Sequence, residues 1–330
     1  MNFGAVPLDA AEGAILAHSV KAGGARLRKG TVLTAAHVEA LRGAGLAAVV
    51  VARFGPEDVP EDEAATRIGA ALATEGCRLT PAFTGRVNLV ADVPGVVRIS
   101  EGAVRAMNGV DEGLTLATLP DLMRVETGQL IATVKVIPYG VPGDRVAAAV
   151  EALGAEPVRL SPFRGGRVQL VMTRTPGFKE SLLDKGREVV AARVASIGME
   201  LAASVVVDHE EGAVAGVLDT GVDMILVLGA SATSDRADVA PAAVVAAGGV
   251  IDRFGMPVDP GNLLFLGRIG AVPVVGLPGC ARSPALNGVD WVLERLAAGI
   301  AVDGASIAAM GVGGLLKEMP GRPEPRQPKA

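Results

Sequence analysis

Aromatic residues are scarce in this sequence of 330 residues: they make up 3% of it, with one Trp and one Tyr. A chain with so few stacking side chains and a net charge of −5 lacks the basic surface and the stacking platforms of a nucleic-acid-binding protein. Because 50% of the residues are still hydrophobic, the core must consist of aliphatic side chains. This apolar content excludes disorder of the whole chain.

Cysteines and long apolar runs are also few. The two cysteines, Cys77 and Cys280, are too few for a disulfide framework or a zinc site, and they favour a cytoplasmic protein. No stretch free of Asp, Glu, Lys and Arg exceeds 13 residues, whereas a membrane-spanning helix needs about 20. The first residues show no charged segment followed by an apolar core, so we expect neither a signal peptide nor membrane association.

Three motifs of phosphate and metal chemistry are missing from the sequence. No G-x-G-x-x-G follows a strand and opens a helix, and neither a G-x-x-x-x-G-K-[ST] loop nor an H-E-x-x-H motif occurs. These absences disfavour hydride transfer with a dinucleotide and Walker-type hydrolysis.

The length favours two or three domains, since domains average about 150 residues. We divide the chain into an N-terminal α+β region (1–85), a small β-rich region (86–154), an α/β domain (155–302), and a C-terminal helix and tail (303–330). In the first region Thr34 is the expected N-cap of a short helix, and Asp58 and Glu61 have capping-box spacing. No polar residues cluster there, so we expect a role in packing or oligomerisation and not in catalysis.

In residues 155–302 apolar strands alternate with helices. The strands are VQLVMT, ELAASVVV, MILVLGAS and AVPVVGLPG, and the connecting segments are amphipathic or small-residue helices. This alternation predicts a three-layer α/β domain with a mostly parallel sheet. Ligands of such sheets bind outside the carboxyl ends of the strands, so the segments that follow the strands are the candidate site.

Small and polar residues follow these strands. The loop after MILVLGAS holds Ser231, Thr233, Ser234, Asp235, Arg236 and Asp238, and the loop after AVPVVGLPG holds Gly279, Cys280, Arg282 and Ser283. Each loop opens a helix, which favours an anionic, phosphate-bearing ligand. Asp208 ends a third strand, and Asp208, Asp235 and Asp238 are candidate ligands of Mg²⁺, which prefers carboxylates together with substrate phosphates.

Structural explanations compete with each of these roles. Asp238 is well placed as a helix N-cap, and Asp208 is placed to cap the next helix. If Asp238 were only a helix cap, replacing it by Asn would hardly change the stability or the activity of the protein. The two arginines are equally explained as surface charges, and Cys280 lies near a helix start but has no recognisable base beside it.

The segments LVLGASATSDRADVAPAAVVAAGG, GMPVDPGN and PVVGLPGCARSPALNGVDWVLERL carry a resemblance. They resemble the molybdopterin-binding domain of molybdenum cofactor biosynthesis proteins, a family that includes molybdopterin adenylyltransferases and molybdopterin molybdotransferases. The match covers about residues 168–299. The segment KGTVLTAAHVEALRGAGLAAVVV also resembles the start of the molybdotransferases. The whole chain is most similar to molybdopterin-binding proteins related to cofactor cytidylyltransferases.

The resemblance implies roles at matching positions. Asp238 matches an acidic residue of metal and pterin-phosphate chemistry, and Asp208 matches a second acidic position. Gly229, Ser231 and Thr233 match the loop that holds the phosphate side of the pterin, and Gly276, Pro278 and Gly279 match a Leu-Pro-Gly loop. Molybdopterin and Mg²⁺, with molybdate and ATP as further reactants, are the implied ligands. The family forms dimers and trimers, so a homo-oligomer is expected.

Three positions depart from the family pattern, and they bear on whether the protein is a transferase or a carrier. Ala230 replaces the second of two glycines, Asn262 replaces the Lys of Pro-Gly-Lys, and Cys280 replaces an Asn. The retained aspartates favour a transferase that inserts molybdate or handles a nucleotide on molybdopterin. The lost Lys and the lost second Gly favour a non-catalytic carrier or sensor that serves a cytidylyltransferase or a target molybdoenzyme. A general nucleotide-binding α/β protein is a third alternative.

Overall fold

The computed structural model describes residues 1–22 and 24–316. The chain folds as two compact units, Met1–Leu160 and a second unit that begins at Ser161. The domain boundaries expected at 85/86 and 302/303 stay predictions. The expected C-terminal tail, from residue 317 onward, lies outside the described residues. No helix in the described ranges is long and apolar enough to span a membrane.

The first unit consists of short strands and four α-helices in its described residues. Its elements are β1 (Asn2–Pro7), β2 (Ile15–Leu16), β3 (Val20–Ala22), β4 (Ala25–Leu27), α1 (Ala35–Gly43), β5 (Ala48–Arg53), β6 (Asp58–Pro60), α2 (Glu61–Ala70), β7 (Cys77–Leu79), β8 (Arg86–Ala91), β9 (Gly95–Ile99), α3 (Glu101–Asn108), β10 (Leu114–Thr118), β11 (Arg124–Val125), β12 (Leu130–Val136), β13 (Gly140–Pro142), α4 (Gly143–Leu153) and β14 (Val158–Pro162).

These strands form several small sheets. The largest has the order β10-β12-β8-β7, and its neighbours pair antiparallel. Its inward side chains, such as Leu89, Leu116 and Val134, form one aliphatic core with Ile68 of α2. A second core lies around Leu33 and the three-stranded sheet β1-β5-β2. Antiparallel pairing of the β-rich pieces after residue 86 agrees with the alternating β-branched residues of the sequence.

Two expected helix starts of this unit have different outcomes. Thr34 is the N-cap of α1, as expected: its Oγ1 accepts the His37 N–H at 3.4 Å, and His37 Nδ1 accepts the Thr34 N–H at 3.3 Å. The capping box of Asp58 and Glu61 is wrong. Asp58 lies in β6, where its Oδ2 accepts the Gly55 N–H and pairs with the N-terminal amine, and Pro60 directly precedes α2.

The second unit is built on one six-stranded sheet. Its elements are β15 (Arg167–Arg174), α5 (Glu180–Ser196), β16 (Glu200–Asp208), α6 (Glu211–Ala215), β17 (Met224–Leu228), α7 (Val239–Ala246), β18 (Val250–Phe254), β19 (Phe265–Ile269), β20 (Val272–Leu277), α8 (Gly288–Ala297) and α9 (Gly304–Ala308). The strand order is β16-β15-β17-β20-β19-β18. The first four strands in this order are parallel, and the last two pair antiparallel.

Helices cover both faces of this sheet. On one face Leu183 and Val190 of α5 and Val292 of α8 pack on the sheet, and on the other Val214 of α6 and Val244 of α7 do so. The predicted three-layer α/β architecture with a mostly parallel sheet is therefore confirmed. The antiparallel strands β18 and β19 were not expected. Among the connecting segments predicted as helices, EEGAVAGVLDTG is helical only over the five residues of α6.

Both edge strands of this sheet contain an extra residue. Val168 and Gln169 of β15 pair with Leu201 and Ala203 of β16, so Ala202 has no partner across the strand. In the same way, Ile251 and Arg253 of β18 pair with Gly267 and Leu266 of β19, so Asp252 has no partner across the strand. Such extra residues are β-bulges, which bend and twist the strand that carries them.

The second unit has its own cores on both faces of its sheet, so we expect a polypeptide of residues 161–330 to fold without the first unit. It should unfold cooperatively in urea, as judged by circular dichroism, and retain the ligand binding of the full chain. Residues 1–160 provide the matched control, which should fold and bind nothing. Loss of binding in a folded second unit would show that the first unit contributes to the site.

Candidate functional site

The candidate site lies where the four parallel strands end. Arg174 of β15 pairs with Asp208 of β16, Met172 with Leu228 of β17, and Leu228 with Leu277 of β20. The segments that follow these strands therefore lie along one edge of the sheet, as the sequence predicted. Two of them, the loop 229–238 and the loop 278–287, hold most of the predicted site residues.

A cleft of about 420 Å³ lies at this edge, beside the ends of β15 and β16. It is lined by residues 174–178 and 208–210 together with Glu180 and Leu183. Asp208 is exposed here and forms an ion pair with Arg174, with 3.2 Å between Oδ1 and Nε. Its predicted alternative as a helix cap is wrong, because Glu210 directly precedes α6 and no side chain caps that helix.

Asp238 organises the loop 229–238. Its Oδ1 accepts the Val239 N–H at 2.8 Å, and its Oδ2 accepts the Ser234 N–H at 3.0 Å and lies 3.4 Å from the Ser234 hydroxyl. The Ser234 N–H is the main reason why the pKa of Asp238 is lowered; partial burial opposes it, and His209 contributes a smaller lowering. Asp238 is therefore the N-cap of α7 and also closes the loop that precedes it.

Asp235 and Arg236 lie on the same turn but have partners of their own. Asp235 Oδ1 accepts the Ala237 N–H at 2.8 Å, and Asp235 O accepts the Asp238 N–H at 3.2 Å. Arg236 donates to the Ile251 carbonyl at 3.1 Å, which directs its guanidinium to the edge strand β18. Within residues 1–22 and 24–316, no group of three or more His, Cys, Asp or Glu side chains is placed to hold a metal ion. The Mg²⁺ roles of Asp235 and Asp238 stay predictions.

The backbone of the loop 229–238 contains N–H groups that are available to a ligand. Among the described residues, the N–H groups of Ser231, Ala232 and Thr233 donate no intramolecular hydrogen bond. Free N–H groups ahead of a helix attract anionic oxygens. This geometry agrees with the predicted phosphate-binding role of Ser231 and Thr233, without testing it.

Arg282 joins the two loops. Its Nη2 donates to the Gly229 carbonyl at 2.8 Å, and its guanidinium lies 5.9 Å from the centre of the Phe178 ring. The pKa of Arg282 is lowered by burial, but an arginine keeps its charge in proteins. A half-buried cation beside two small-residue loops suits an anionic ligand.

The loop 278–287 is held in place by Arg193 of α5, whose side chain is 9% exposed. Arg193 pairs with Asp290 and donates to the carbonyls of Ser283 and Ala285. This clamp, which the sequence did not reveal, fixes the segment between the turn Gly279–Arg282 and α8. Pro278 precedes the turn, while Gly276 lies inside β20 against Phe265.

Thr173 and His209 were missed as site residues. The Thr173 side chain is fully buried, its Oγ1 accepts the Ala230 N–H at 2.7 Å, and the same oxygen lies 2.8 Å from His209 Nδ1. The available signal was a polar residue at the apolar end of strand VQLVMT, one strand away from a histidine that directly follows Asp208.

Together these features define the second unit as a three-layer α/β unit with a polar site at the carboxyl edge of its parallel strands. A family model described as "Domain of unknown function (DUF8806)" matches residues 5–53, in the first unit. A search of curated proteins gives no match.

The chain is similar to several solved structures. One is a molybdopterin biosynthesis moea protein from Pyrococcus horikosii, with 14% identity, 90% of this chain and 75% of that chain covered, and a TM-score of 0.30. Another is molybdenum cofactor biosynthesis protein B, with 17% identity, 40% and 88% covered, and a TM-score of 0.27. A third is a molybdopterin biosynthesis protein from Mycobacterium abscessus, with 17% identity, 41% and 92% covered, and a TM-score of 0.28.

Proposed function

We propose that this protein binds molybdopterin at the carboxyl edge of its parallel strands and acts in molybdenum cofactor biosynthesis. The observation that carries the proposal is the hydrogen bond from Arg282 to the Gly229 carbonyl, which holds together the two loops that resemble the molybdopterin-binding family. The free N–H groups at 231–233 and the Arg282 guanidinium are suited to the phosphate of this ligand, and the adjoining cleft provides room for a ring system.

We propose further that the protein is a Mg²⁺-dependent transferase acting on bound molybdopterin. The carboxylates of Asp235 and Asp238 lie on one turn and retain lone pairs beyond those that accept N–H bonds, so they fit a site completed by substrate phosphate oxygens. Mg²⁺ bound there would neutralise phosphate charge during molybdate insertion or nucleotidyl transfer from ATP. Arg282 would hold the phosphate side, and Asp208 would serve as a second acidic group.

The alternative function is a carrier or sensor that binds molybdopterin for a cytidylyltransferase or a molybdoenzyme. The observation that favours it is Asn262, which occupies the position of the family's Lys and whose amide lies 3.4 Å from the Met256 carbonyl. No cation is therefore supplied from that position. Turnover with molybdopterin, molybdate, Mg²⁺ and ATP supports the transferase, whereas tight binding without turnover supports the carrier.

Gly279→Val tests the binding proposal. A Cβ at Gly279 meets only Arg282 Nη1, at 3.8 Å, so the substitution should leave the fold intact while its branched side chain displaces the guanidinium. We expect molybdopterin affinity, measured anaerobically by fluorescence, to fall about tenfold or more, as for loss of a charge-assisted hydrogen bond.

Gly279→Ala is the matched control, because its single methyl group fits in ordinary contact and should change affinity little. Circular dichroism and the thermal midpoint establish that both variants are folded. Unchanged affinity in folded Gly279→Val would contradict binding at this edge.

A further inference from the structure

One buried hydroxyl at the end of β15 connects the loop 229–238 to the cleft. Thr173 is 0% exposed, and its Oγ1 contacts both the Ala230 N–H, at 2.7 Å, and His209 Nδ1, at 2.8 Å. A hydroxyl offers one proton and two lone pairs. The Ala230 N–H occupies one lone pair, so the hydroxyl proton still needs an acceptor.

His209 Nδ1 is the acceptor at hand. If Nδ1 carried a proton, it would also donate to Oγ1, and the threonine proton would remain buried without an acceptor in the described part of the chain. Buried donors are nearly always satisfied, because leaving one unpaired is costly. The satisfied arrangement has Thr173 donating to Nδ1, which places the proton of a neutral imidazole on Nε2.

The other ring nitrogen is left for a ligand. His209 is half-buried and lines the 420 Å³ cleft, and its Nε2 makes no hydrogen bond within the described residues. Asp208 and Glu210, its sequence neighbours, line the cleft as well. An N–H that is fixed in direction, on a residue that lines a cleft, can serve as a specific donor to an acceptor atom of a bound molecule.

We propose that Thr173 is a positioning residue that holds His209 in the Nε2–H tautomer, and that His209 donates this N–H to the ligand in the cleft. The same hydroxyl accepts the Ala230 N–H, so one group fixes the position of the histidine relative to the loop 229–238. The identity of the ligand as molybdopterin rests on the proposed function, whereas the tautomer does not depend on it.

The tautomer is measured without ligand by two-dimensional ¹⁵N–¹H NMR of the imidazole rings at pH 8. The chain has three histidines, and His209→Ala identifies the signal of His209. We expect an unprotonated Nδ1 and a protonated Nε2 in the wild type and in Thr173→Ser, and a mixture of tautomers in Thr173→Val. A protonated Nδ1 in the wild type would overturn the proposal.

Binding measurements test whether His209 donates its Nε2–H to the ligand. Molybdopterin affinity should fall about tenfold in Thr173→Val and in His209→Ala, the range of one hydrogen bond, and should recover in Thr173→Ser. The double variant should lose less than the product of the two single losses, because the threonine acts on the ligand through the histidine as well as through the Ala230 N–H.

Each failure has its own signature. If the wild type binds no molybdopterin, the proposed function fails, and the tautomer measurement still decides the role of Thr173. If folded His209→Ala binds as well as the wild type, His209 is not a ligand donor and the inference is overturned. Should Thr173→Val fail to fold, His209→Ala, at a half-buried position, and Thr173→Ser still provide the comparison.

Discussion

Replacing Asp238 by Asn is expected to lower the Mg²⁺-dependent transfer on molybdopterin at least ~100-fold, the scale of losing a key electrostatic group. The carboxylate has the same size as the amide but carries the negative charge that Mg²⁺ requires. The loss should appear in the turnover number, measured with saturating molybdopterin. Molybdopterin binding without Mg²⁺ should change much less.

Asp303→Asn is the matched control. Asp303 is also an N-cap, its Oδ1 accepts the Ser306 N–H at 2.7 Å, and its pKa is lowered mainly by that bond. The variant removes the same charge at another helix start, so it should retain activity. If both variants keep wild-type turnover, Asp238 is only a structural residue, and the carrier function gains support.

The structure also changes the expected effect of Asp238→Asn on stability. An Asn retains an oxygen for the Val239 N–H, but its NH₂ group cannot accept the Ser234 N–H as Oδ2 does. We therefore expect the free energy of unfolding to fall by about 1 kcal/mol, whereas a cap alone predicts almost no change.

The lowered pKa of Asp238 determines how its contribution to the free energy of unfolding changes with pH. A depressed pKa in the folded state stabilises the protein above the carboxyl pKa of the unfolded chain, and this stabilisation is lost as the pH falls through the folded value. Urea unfolding at pH 7 and at pH 3 should therefore give a larger difference between wild type and Asp238→Asn at pH 7. An equal difference at both pH values would contradict this.

Gly276→Ala is expected to destabilise the second unit by at least about 3 kcal/mol, the upper end of overpacking effects. Gly276 of β20 lies directly opposite Phe265 of β19, and a Cβ there would be 2.0 Å from the Cε1 atom of the Phe265 ring. Phe265 is 1% exposed and packs between the sheet and α7, so its ring has no free space to move into. Urea unfolding followed by circular dichroism measures the loss.

A second substitution tests the cause. Shortening the facing ring in Gly276→Ala/Phe265→Leu should recover part of the lost stability, because the two residues are coupled through one contact. If the double variant loses the sum of the two single effects, the ring contact is not the reason. The structure thus supplies a packing reason for the glycine at a position that the family resemblance associates with the cofactor.

Local patterns were sufficient to predict much of the second unit. The alternation of strands and helices gave the parallel part of the sheet, and the loops after MILVLGAS and AVPVVGLPG are where polar residues meet. Asp238 was predicted as an N-cap from its place before a small-residue helix, and so was Thr34 of α1. Such predictions succeed because capping and strand burial depend on residues close in sequence.

The rest depended on contacts between distant residues. Asp58 has capping-box spacing, but pairing with the N-terminal amine and the Gly55 N–H places it in a strand instead. The pairing of β18 with β19 and the Arg193 clamp on Ser283 involve partners that no local pattern identifies. The contact of Thr173 with His209 spans 36 residues and exists only because β15 and β16 are neighbours.

The bulges at Ala202 and Asp252 have a consequence for how copies of this chain can associate. Both lie on the outermost strands, where unpaired N–H and C=O groups would otherwise template growth of the sheet from one molecule into the next. A twisted edge, with a charged residue at one bulge in an ion pair with Arg268, opposes such strand-to-strand addition. A homo-oligomer of this protein should therefore assemble through helix or loop surfaces, and its second unit should resist the edge-mediated aggregation to which long apolar strands such as β16 are otherwise prone.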